Sequence, residues 1–537
     1  MTRGKKGGQG SGLRGGVAFL TVSGILAKVL GFAYKVPLNA ILGDEMASVN
    51  AAAALFAVLY TATAAGIPGA LSLSIAEAVA SGNRARIKRL FDKTLSSLLG
   101  LGFVLSLALL LLSHPIARLS GDAGGFLCTV AIAPALFFTA GTGVLRGFFQ
   151  GFSRLVPTAA SALLEALGKT VFGVLLAFIA LNAFGKSHAV AAALSVFGVT
   201  LGIIAGTLYL AVRYRREGGA LLASVPDTPS PRTGGKSIFR IALPITLTAM
   251  LMSLSSFLDA GMMRPLLSAH FGDEALGKTL YSDYSTGVLT LYNMPLVLVS
   301  PIATALVPYV SGRLTVAGKE RARGVVTTAM KLTLLVILPA ALGLSAFSRP
   351  ILAFVFRSDA LLPKNVGGAL SLLAPSLALS ALITLSTAVL QGAGRESVPI
   401  LSLGLGILVK VALMPPLVAL FGTLGIPLAT IAFYAVACFV NQIFLYRTMR
   451  VRLPFWDGIL RPLLCSGGAV TLAYGTYRGL CLRMDGTLAL LLAIGTAAVL
   501  YLAFLIVFGA VSERELAFLP HGSKKISNFL RPFLRKS

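Results

Sequence analysis

The stretch Leu488–Val507, LALLLAIGTAAVLYLAFLIV, contains no charged residue, and Ser96–Leu112 contains none either. Each is close to the ~20 residues with which a helix crosses ~30 Å of hydrocarbon. The whole chain shares this character: of its 537 residues, 56% are apolar and 12% are charged, whereas a soluble domain averages about 25% charged residues. Membrane β-barrels would instead show ~10-residue alternating segments. The sequence therefore predicts an all-α polytopic membrane protein.

Apolar segments of this kind follow one another along the chain. We predict about fourteen transmembrane helices, near residues 17–42, 51–80, 94–113, 124–148, 157–183, 188–212, 241–264, 282–312, 324–347, 365–392, 398–421, 425–446, 462–480 and 486–510. The first segment follows basic residues, as the apolar core of a signal peptide does. It is longer than such a core and carries Lys28 and Lys35, so we expect it to remain as the first helix.

The basic residues are unevenly distributed over the loops. The chain has 46 Lys and Arg against 19 Asp and Glu, a formal net charge of +27, and the basic residues concentrate in alternate loops such as 84–93 and 213–240 and in both tails. The positive-inside rule then predicts a multi-pass protein of the bacterial cytoplasmic membrane with both termini cytoplasmic. The basic surface indicates contact with anionic membrane lipids rather than with nucleic acid. The opposite loops hold few basic residues: Arg118, Lys186, Lys278, Arg349, Arg357, Lys364, Arg478 and Arg483.

The chain also contains an internal repeat. Four landmarks in the first half recur 241 positions later: Ala133-Pro134, Gln150-Gly151, Arg154 and Lys169 become Ala374-Pro375, Gln391-Gly392, Arg395 and Lys410. Each repeat covers six helices, an even number, so the two are parallel repeats with a cavity between them. The prediction is a basic tail at 1–16, a six-helix bundle at 17–212, a linker at 213–240, a second bundle at 241–446, two extra helices at 447–510 and a basic tail at 511–537.

Neither catalytic nor metal chemistry is indicated. The sequence has no GxxxxGK[ST] motif, and its four histidines show no HExxH spacing. The four cysteines show no CxxC spacing, and we expect them to be buried as small hydrophobes. We therefore predict no enzyme, no metal and no cofactor, with coupling to a monovalent cation or to the membrane potential as the open alternatives.

Charged residues within the spans are the candidate site. A charge at mid-bilayer costs at least ~2.5–3.5 kcal/mol, so it should face protein or a wet cavity. Lys28 and Lys35 are seven residues apart and share one face of the first helix. Snorkelling to the interface is the alternative for one of them. Both cannot easily reach one surface, because they are about 10 Å apart along the axis. We predict that they face a cavity.

The fifth helix carries a second charged pair. Glu165 and Lys169 stand at i, i+4, which favours an intrahelical ion pair, so that a structural role and a functional one remain open. Lys410 occupies the repeated position of Lys169 and has no glutamate four residues earlier. Glu77 and Arg146 lie near predicted cytoplasmic ends and are expected at the interface.

Asp259 and Arg264 on the seventh helix are five residues apart, which separates them by about 140° around the axis. They cannot simply neutralise each other, so Asp259 is a candidate partner for a lysine of the first helix. Arg264 precedes Pro265, which predicts a position near the helix end, where snorkelling competes with a cavity-facing role.

Several stretches resemble one known family. The run SGILAKVLGFAYKVPLNAILGDE at 23–45 resembles the first helix of the multidrug/oligosaccharidyl-lipid/polysaccharide (MOP) flippase superfamily. Further similar stretches are AAGIPGALSLSIAEA at 64–78, SSFLDAGMMRPLL at 255–267 and NMPLVLVSPIATALVPYVS at 293–311. Together they are similar to the stage V sporulation protein B branch, relatives of the lipid II flippase MurJ. The resemblance covers nearly the whole chain.

This resemblance implies a positively charged central cavity for the pyrophosphate-sugar head group of an undecaprenyl-linked precursor. It also implies that the two extra helices border a groove for the lipid tail. The expected function is flipping of this precursor to the outer leaflet by alternating access, for cell-wall or spore-cortex synthesis, with cell-wall synthases as further partners. A cation-coupled multidrug exporter of the same superfamily and a non-transporting cell-wall scaffold are the alternatives.

Overall fold

The computed structural model describes residues 22–119, 125–226, 238–311, 316–356 and 361–509. These ranges are almost entirely helical, with no β-strand among the described residues, which confirms the predicted all-α fold. The chain divides into two compact units, Met1–Thr286 and Gly287–Ser537. The division falls inside a π-helical turn at Tyr284–Val288. The two predicted basic tails, at 1–16 and 511–537, lie outside the described residues.

The first unit contains thirteen described helices, which we number in chain order. They are α1 (22–33), α2 (Lys35–Leu42), α3 (Met46–Ala64), α4 (Ile67–Ala80), α5 (Arg84–Leu111), α6 (Ser113–Leu119), α7 (Phe126–Ile132), α8 (Ala135–Gly151), α9 (Leu155–Asn182), α10 (His188–Arg213), α11 (Gly219–Ala223), α12 (Ile238–Phe271) and α13 (Glu274–Asp283).

The second unit contains ten described helices. They are α14 (Leu289–Leu296), α15 (Val299–Ser311), α16 (Val316–Ala346), α17 (Ser348–Phe356), α18 (Leu361–Leu373), α19 (Leu377–Gly392), α20 (Ser397–Phe421), α21 (Gly425–Met449), α22 (Arg461–Leu480) and α23 (Gly486–Val507).

The number of membrane spans differs from the prediction. Ten helical segments of the described residues are long and apolar enough to cross a membrane, or eleven if the bent pair Glu274–Leu296 and Val299–Ser311 is one span. The predicted count of fourteen is thus not confirmed. Two of the ten segments, Val22–Ala80 and Ser397–Met449, are 59 and 53 residues long. At 1.5 Å per residue each has the length of two crossings, so the difference lies partly in how continuous helices are counted.

Glycine interrupts both of these long segments at an equivalent backbone conformation. Gly43 ends α2 with φ 54° and ψ −129°, and Gly422 ends α20 with φ 56° and ψ −129°. A side chain would be strained at such positive φ, whereas glycine adopts it readily. A short 3₁₀ turn follows each glycine before the next helix begins. The two glycines thus set where one helix stops and the next starts.

The predicted repeat has a counterpart in local structure. Between α8 and α9 the chain passes through Ser153, with φ 58°, and between α19 and α20 through Gly394, with φ 73°. These two positions are 241 residues apart, the offset of the repeat. The next residues, Arg154 and Arg395, each donate their N–H to the carbonyl five residues back over 2.8 Å. The same turn therefore joins corresponding helices in both units.

The helices of the first unit approach most closely where glycines face each other. A Cβ at Gly202 of α10 would lie 2.6 Å from the backbone nitrogen of Lys169 on α9, and a Cβ at Gly198 would lie 2.3 Å from the nitrogen of Gly173. Small residues allow such contact, which drives helix association in a membrane by close packing. This packing fixes the orientation of α9 relative to α10. It therefore also fixes the side of α9 on which its charged residues lie.

The two extra helices pack within the second unit. Leu335 of α16, Cys465 of α22 and Leu505 of α23 belong to one buried cluster, and the Tyr501 hydroxyl on α23 donates to the Leu335 carbonyl over 2.6 Å. A second cluster joins Phe347 to both helices. Helices α22 and α23 are thus docked on α16.

Cysteine burial matches the prediction at three of four positions. Cys128, Cys438 and Cys465 are buried, but Cys481 is exposed. The prediction was wrong for Cys481 because this residue caps the C-terminal end of α22, beyond the part of the helix that packs against its neighbours.

Much of the outer helical surface is apolar and exposed. In α9, Val171, Leu175 and Phe178 are 53%, 47% and 53% exposed, and only 17% of the most apolar window of this helix is buried. A surface of this size would be unfavourable in water but not in hydrocarbon. The chain is therefore an integral membrane protein.

We predict that Gly202→Ala lowers stability, because the added methyl group would overlap backbone atoms of α9 that cannot rotate away. Overpacking of this kind costs typically 1–3 kcal/mol. The measurement is the midpoint of thermal unfolding in detergent. Gly100→Ala is the matched control, since a Cβ at this α5 position meets nothing within 4 Å. Equal midpoints for the two variants would contradict the proposed tightness of the α9–α10 contact.

Candidate functional site

A cavity of about 420 Å³ lies inside the first unit, among α1, α2, α3, α7, α8, α9 and α10. Its volume is in the range of small-molecule sites. We call it the site cavity. Its ionisable lining residues are Lys28, Tyr34, Lys35, Tyr60, Arg146, Glu165 and Lys169. Four of the seven predicted site residues are therefore brought together here, and one carboxylate among the lining residues stands against four cationic side chains.

Lys28 and Lys35 both line the site cavity, as predicted from their spacing on one helix face. The Lys35 ammonium donates to the Asn50 side-chain oxygen over 3.1 Å and to the Ser285 carbonyl over 3.4 Å. Lys35 is thus held by neutral acceptors. Lys28 lies on α1. Tyr34, the residue that follows the end of α1, is 2% exposed.

Asn50 is a site residue that the sequence reasoning missed. Besides accepting from Lys35, its amide donates to the hydroxyls of Ser285 over 2.9 Å and of Thr286 over 2.7 Å. Asn50 is 7% exposed, and a buried amide without such partners would be costly. An asparagine in an otherwise alanine-rich stretch of a predicted span was the available signal. The network ties α3 to the end of the first unit.

Arg146 and Glu165 form the ion pair of the site cavity. The guanidinium donates to the Glu165 carboxylate over 2.8 Å, with side chains 15% and 25% exposed, and its Nε donates to the Ser161 hydroxyl over 3.0 Å. The prediction of Arg146 at the interface was wrong. The predicted pairing of Glu165 with Lys169 is also wrong, because the arginine on α8 reaches the carboxylate with better, charge-assisted geometry.

Lys169 contacts an aromatic ring. Its ammonium lies 4.8 Å from the centroid of the Tyr34 ring, a cation–π distance, and the Tyr34 hydroxyl lies 3.4 Å from the Ser195 hydroxyl. Lys35 and Lys169 both line the site cavity. The carboxylate of Glu165 is engaged by Arg146, so two like charges remain near each other in the cavity.

The other three predicted site residues do not line the site cavity. Asp259 is 5% exposed and lies on α12 with Arg264. The structure places Arg264 inside this helix rather than near its end, because α12 continues through Pro265 to Phe271. Proline removes one helix hydrogen bond and bends a helix without necessarily ending it. Lys410 is in the second unit, 5.7 Å from the Phe433 ring centroid.

These features define a class of protein: a polytopic helical membrane protein with a cavity in its first unit that four cationic side chains and one carboxylate line. The chain matches the Polysaccharide biosynthesis protein family over residues 13–312 and the Lipid II flippase MurJ family over residues 169–484. Each match covers more than half of the chain. The chain therefore belongs to the Polysaccharide biosynthesis protein and Lipid II flippase MurJ families.

Similar proteins occur in Bacillus subtilis (strain 168). The uncharacterized membrane protein YabM is 27% identical over 534 residues, 96% of each chain. The lipid II flippase MurJ is 23% identical over 447 residues, 80% of this chain and 82% of the relative. Stage V sporulation protein B is 25% identical over 300 residues, 55% of this chain and 57% of the relative.

Solved structures share the fold. The lipid II flippase MurJ in an inward closed conformation aligns with a TM-score of 0.66 at 16% identity, covering 91% of this chain and 98% of that one. A multidrug resistance MATE transporter of the MOP superfamily in its inward-facing conformation aligns with a TM-score of 0.60 at 17% identity, covering 81% and 98%. The chain therefore shares the fold of MurJ and of this MATE transporter, which confirms the predicted fold class.

We predict that Glu165→Gln destabilises the protein, because the half-buried Arg146 guanidinium then loses its counter-ion. The glutamine oxygen can still accept from the guanidinium, but the positive charge is left uncompensated, which costs more than about 1 kcal/mol and at most the ~3–5 kcal/mol of a fully buried pair. The measurement is thermal unfolding in detergent. The control is Glu77→Gln, whose carboxylate is 68% exposed and 3.5 Å from Arg86, and whose loss should cost below about 1 kcal/mol. If Glu165→Gln lowers the midpoint no more than Glu77→Gln, the pair does not stabilise the site cavity.

Proposed function

We propose that this protein is a bacterial flippase that moves an undecaprenyl-linked sugar precursor, carrying a pyrophosphate, from the cytoplasmic to the outer leaflet. The observation that carries the proposal is the charge of the site cavity. Arg146 and Glu165 neutralise each other, which leaves the ammonium groups of Lys28, Lys35 and Lys169. A phosphate oxygen 4 Å from one ammonium gains about 4 kcal/mol of attraction at an effective dielectric constant of 20.

The contacts of the lysines in the structure support an anionic ligand. Lys35 is bound by a side-chain amide and a carbonyl, and Lys169 by an aromatic ring; neither contact cancels the positive charge. The repulsion between the two lysines is relieved when an anion lies between them. A pyrophosphate offers several acceptor oxygens and more than one negative charge, so it can accept from both.

The relatives favour a lipid-linked precursor as the source of this pyrophosphate. MurJ of Bacillus subtilis is described as a lipid II flippase, and another relative is stage V sporulation protein B. The purpose we propose is therefore cell-wall or spore-cortex synthesis. A multidrug exporter for cationic drugs is disfavoured by the same cavity, because such cargo would meet three lysines and a carboxylate already paired with Arg146.

The main test replaces Lys28, Lys35 and Lys169 with alanine, singly and together, and measures translocation of the native lipid-linked precursor in proteoliposomes. Each single change should reduce the rate about tenfold or more, because a hydrogen bond to a charged group contributes about 1.5–3 kcal/mol. Arginine at the same positions should retain more activity than alanine. Lys88→Ala, at an exposed position of α5, is the control.

Three outcomes would contradict the proposal. Unchanged translocation by the triple alanine variant would mean that the transported lipid does not bind in the site cavity. Efflux of cationic drugs without translocation of the lipid would favour the multidrug exporter, and the absence of both activities in folded protein would favour the scaffold.

We also propose that the membrane potential drives the return step. A cavity with an excess of positive charge is close to neutral when it holds a pyrophosphate and positive when it is empty. An inside-negative potential favours inward movement of the empty cavity by about 2.3 kcal/mol per charge per 100 mV. Coupling to a monovalent cation at Asp259 is the alternative.

We predict that an inside-negative potassium diffusion potential accelerates multiple-turnover flipping in oriented proteoliposomes and leaves a single turnover nearly unchanged. The reason is that the potential acts on the empty cavity. Dissipating the potential with an ionophore is the control. Equal acceleration of the first turnover, or no acceleration at all, would contradict coupling through the return step.

A further inference from the structure

The second unit contains a larger cavity, of about 830 Å³, that the proposed function does not use. It lies where α16 and α22 end and α17 begins, and we call it the end pocket. Its lining residues include Ser345, Arg349, Ser371, Tyr474, Tyr477 and Arg478. The end pocket thus combines two guanidinium groups with hydroxyl groups and aromatic rings, and no acidic residue is among the described residues that line it.

The charges of the end pocket are not compensated. Among the described residues, neither Arg349 nor Arg478 forms an ion pair. Both arginines belong to loops predicted on the outer side, where basic residues are few. Lys278, another of these few, is paired with Glu45 over 2.6 Å. Among the described residues, an ion pair therefore accounts for Lys278 but not for the two arginines of the end pocket.

The structure positions both guanidinium groups. Gly367 on α18 makes room for the stem of Arg349, since a Cβ at Gly367 would lie 2.5 Å from the Arg349 Cγ. The Arg478 guanidinium lies 5.8 Å from the centroid of the Tyr474 ring, a cation–π distance. Both arginines are exposed, so their heads remain available to a ligand.

The floor of the end pocket is well packed. The rings of Tyr474 and Tyr477 lie 5.6 and 5.7 Å from that of Phe347, which is 2% exposed. The hydroxyls of Ser345 and Ser371 each donate to the other residue's carbonyl, over 2.7 and 2.8 Å. The end pocket is therefore built where α22 and α18 both pack on α16.

We propose that the end pocket binds a phosphate group, in the first place that of an anionic phospholipid. Guanidinium groups recognise phosphate oxygens through paired, charge-assisted hydrogen bonds, and tyrosine hydroxyls can add further donors. Leu482 at the rim is 87% exposed and offers apolar surface to an acyl chain, which favours a lipid over free phosphate. The proposal does not depend on what the site cavity transports.

Cys481 provides a reporter for this test. It lines the end pocket and is exposed, whereas Cys128, Cys438 and Cys465 are buried. The full-length protein is placed in nanodiscs of phosphatidylcholine, and the rate of alkylation by a maleimide is followed. In one arm, phosphatidylglycerol replaces part of the phosphatidylcholine. In a second arm, inorganic phosphate is added to the solution. In a third arm, oleic acid is added until the nanodisc carries the same negative surface charge as it does with phosphatidylglycerol.

The expected result is protection by phosphatidylglycerol. Alkylation should slow about fivefold when the accessible lipid is at about four times its dissociation constant, because only the unoccupied pocket reacts. Oleic acid should protect much less, since it supplies charge without phosphate. Protection by inorganic phosphate but not by phosphatidylglycerol would support a phosphate site and assign it to a soluble ligand, against the lipid.

Variants separate a site from a surface effect. The double change Arg349→Gln with Arg478→Gln should abolish protection. Arg483→Gln, which removes a nearby exposed charge outside the pocket lining, should keep it. Gly367→Ala keeps both charges but displaces the Arg349 stem, so it should weaken protection.

The proposal is overturned if no phosphate compound protects Cys481, if oleic acid protects as well as phosphatidylglycerol, or if Arg483→Gln loses as much protection as the double variant. Thermal unfolding of each variant in detergent checks that it is folded. If the double variant does not fold, the Gly367→Ala result decides: unchanged protection then contradicts the proposal.

Discussion

The arrangement of the first unit depends on one constraint: charged groups in membrane-spanning helices must be kept out of hydrocarbon. Lys35, Lys169 and Arg146 lie on different helices, and each turns inward to the same cavity. The close glycine contact between α9 and α10 fixes the direction in which α9 presents its charges. The apolar outer surface follows from the same requirement, because the polar groups have been gathered inside.

The partners of these charges determine what the site cavity can bind. The carboxylate of Glu165 is engaged by Arg146. Among the described residues, Lys35 donates to two neutral oxygens and Lys169 lies over the Tyr34 ring, so the lysines carry the excess positive charge. Lys35 is also hydrogen-bonded to Asn50 and to Ser285, next to the division between the units. An anion that draws Lys35 away would break its hydrogen bonds to Asn50 and Ser285. Ligand binding would then change the hydrogen bonds between α3 and the end of the first unit.

Much of the fold was predictable, because apolar runs and the offset between Lys169 and Lys410 are properties of the sequence itself. The inward direction of Lys28 and Lys35 was also predictable, since seven residues bring a helix back to the same face. The partner of Glu165 was not, because residue spacing reveals neighbours on one helix and not an arginine on another. For the same reason Asn50 was missed: its role depends on Ser285 and Thr286, which are distant in sequence. The predicted count of fourteen spans was not confirmed, partly because short glycine turns join pairs of predicted spans into the long segments Val22–Ala80 and Ser397–Met449.

The central claim is that the lysines of the site cavity hold the pyrophosphate of the transported lipid. The most direct measurement is a cryo-electron microscopy structure of the full chain in nanodiscs with an undecaprenyl-diphosphate-linked sugar bound. The account predicts density for the diphosphate within hydrogen-bonding distance, about 2.7–2.9 Å for charge-assisted pairs, of the ammonium groups of Lys35 and Lys169, with Glu165 still bound to Arg146. Density for the diphosphate outside this cavity, with the lysine contacts unchanged, would contradict it.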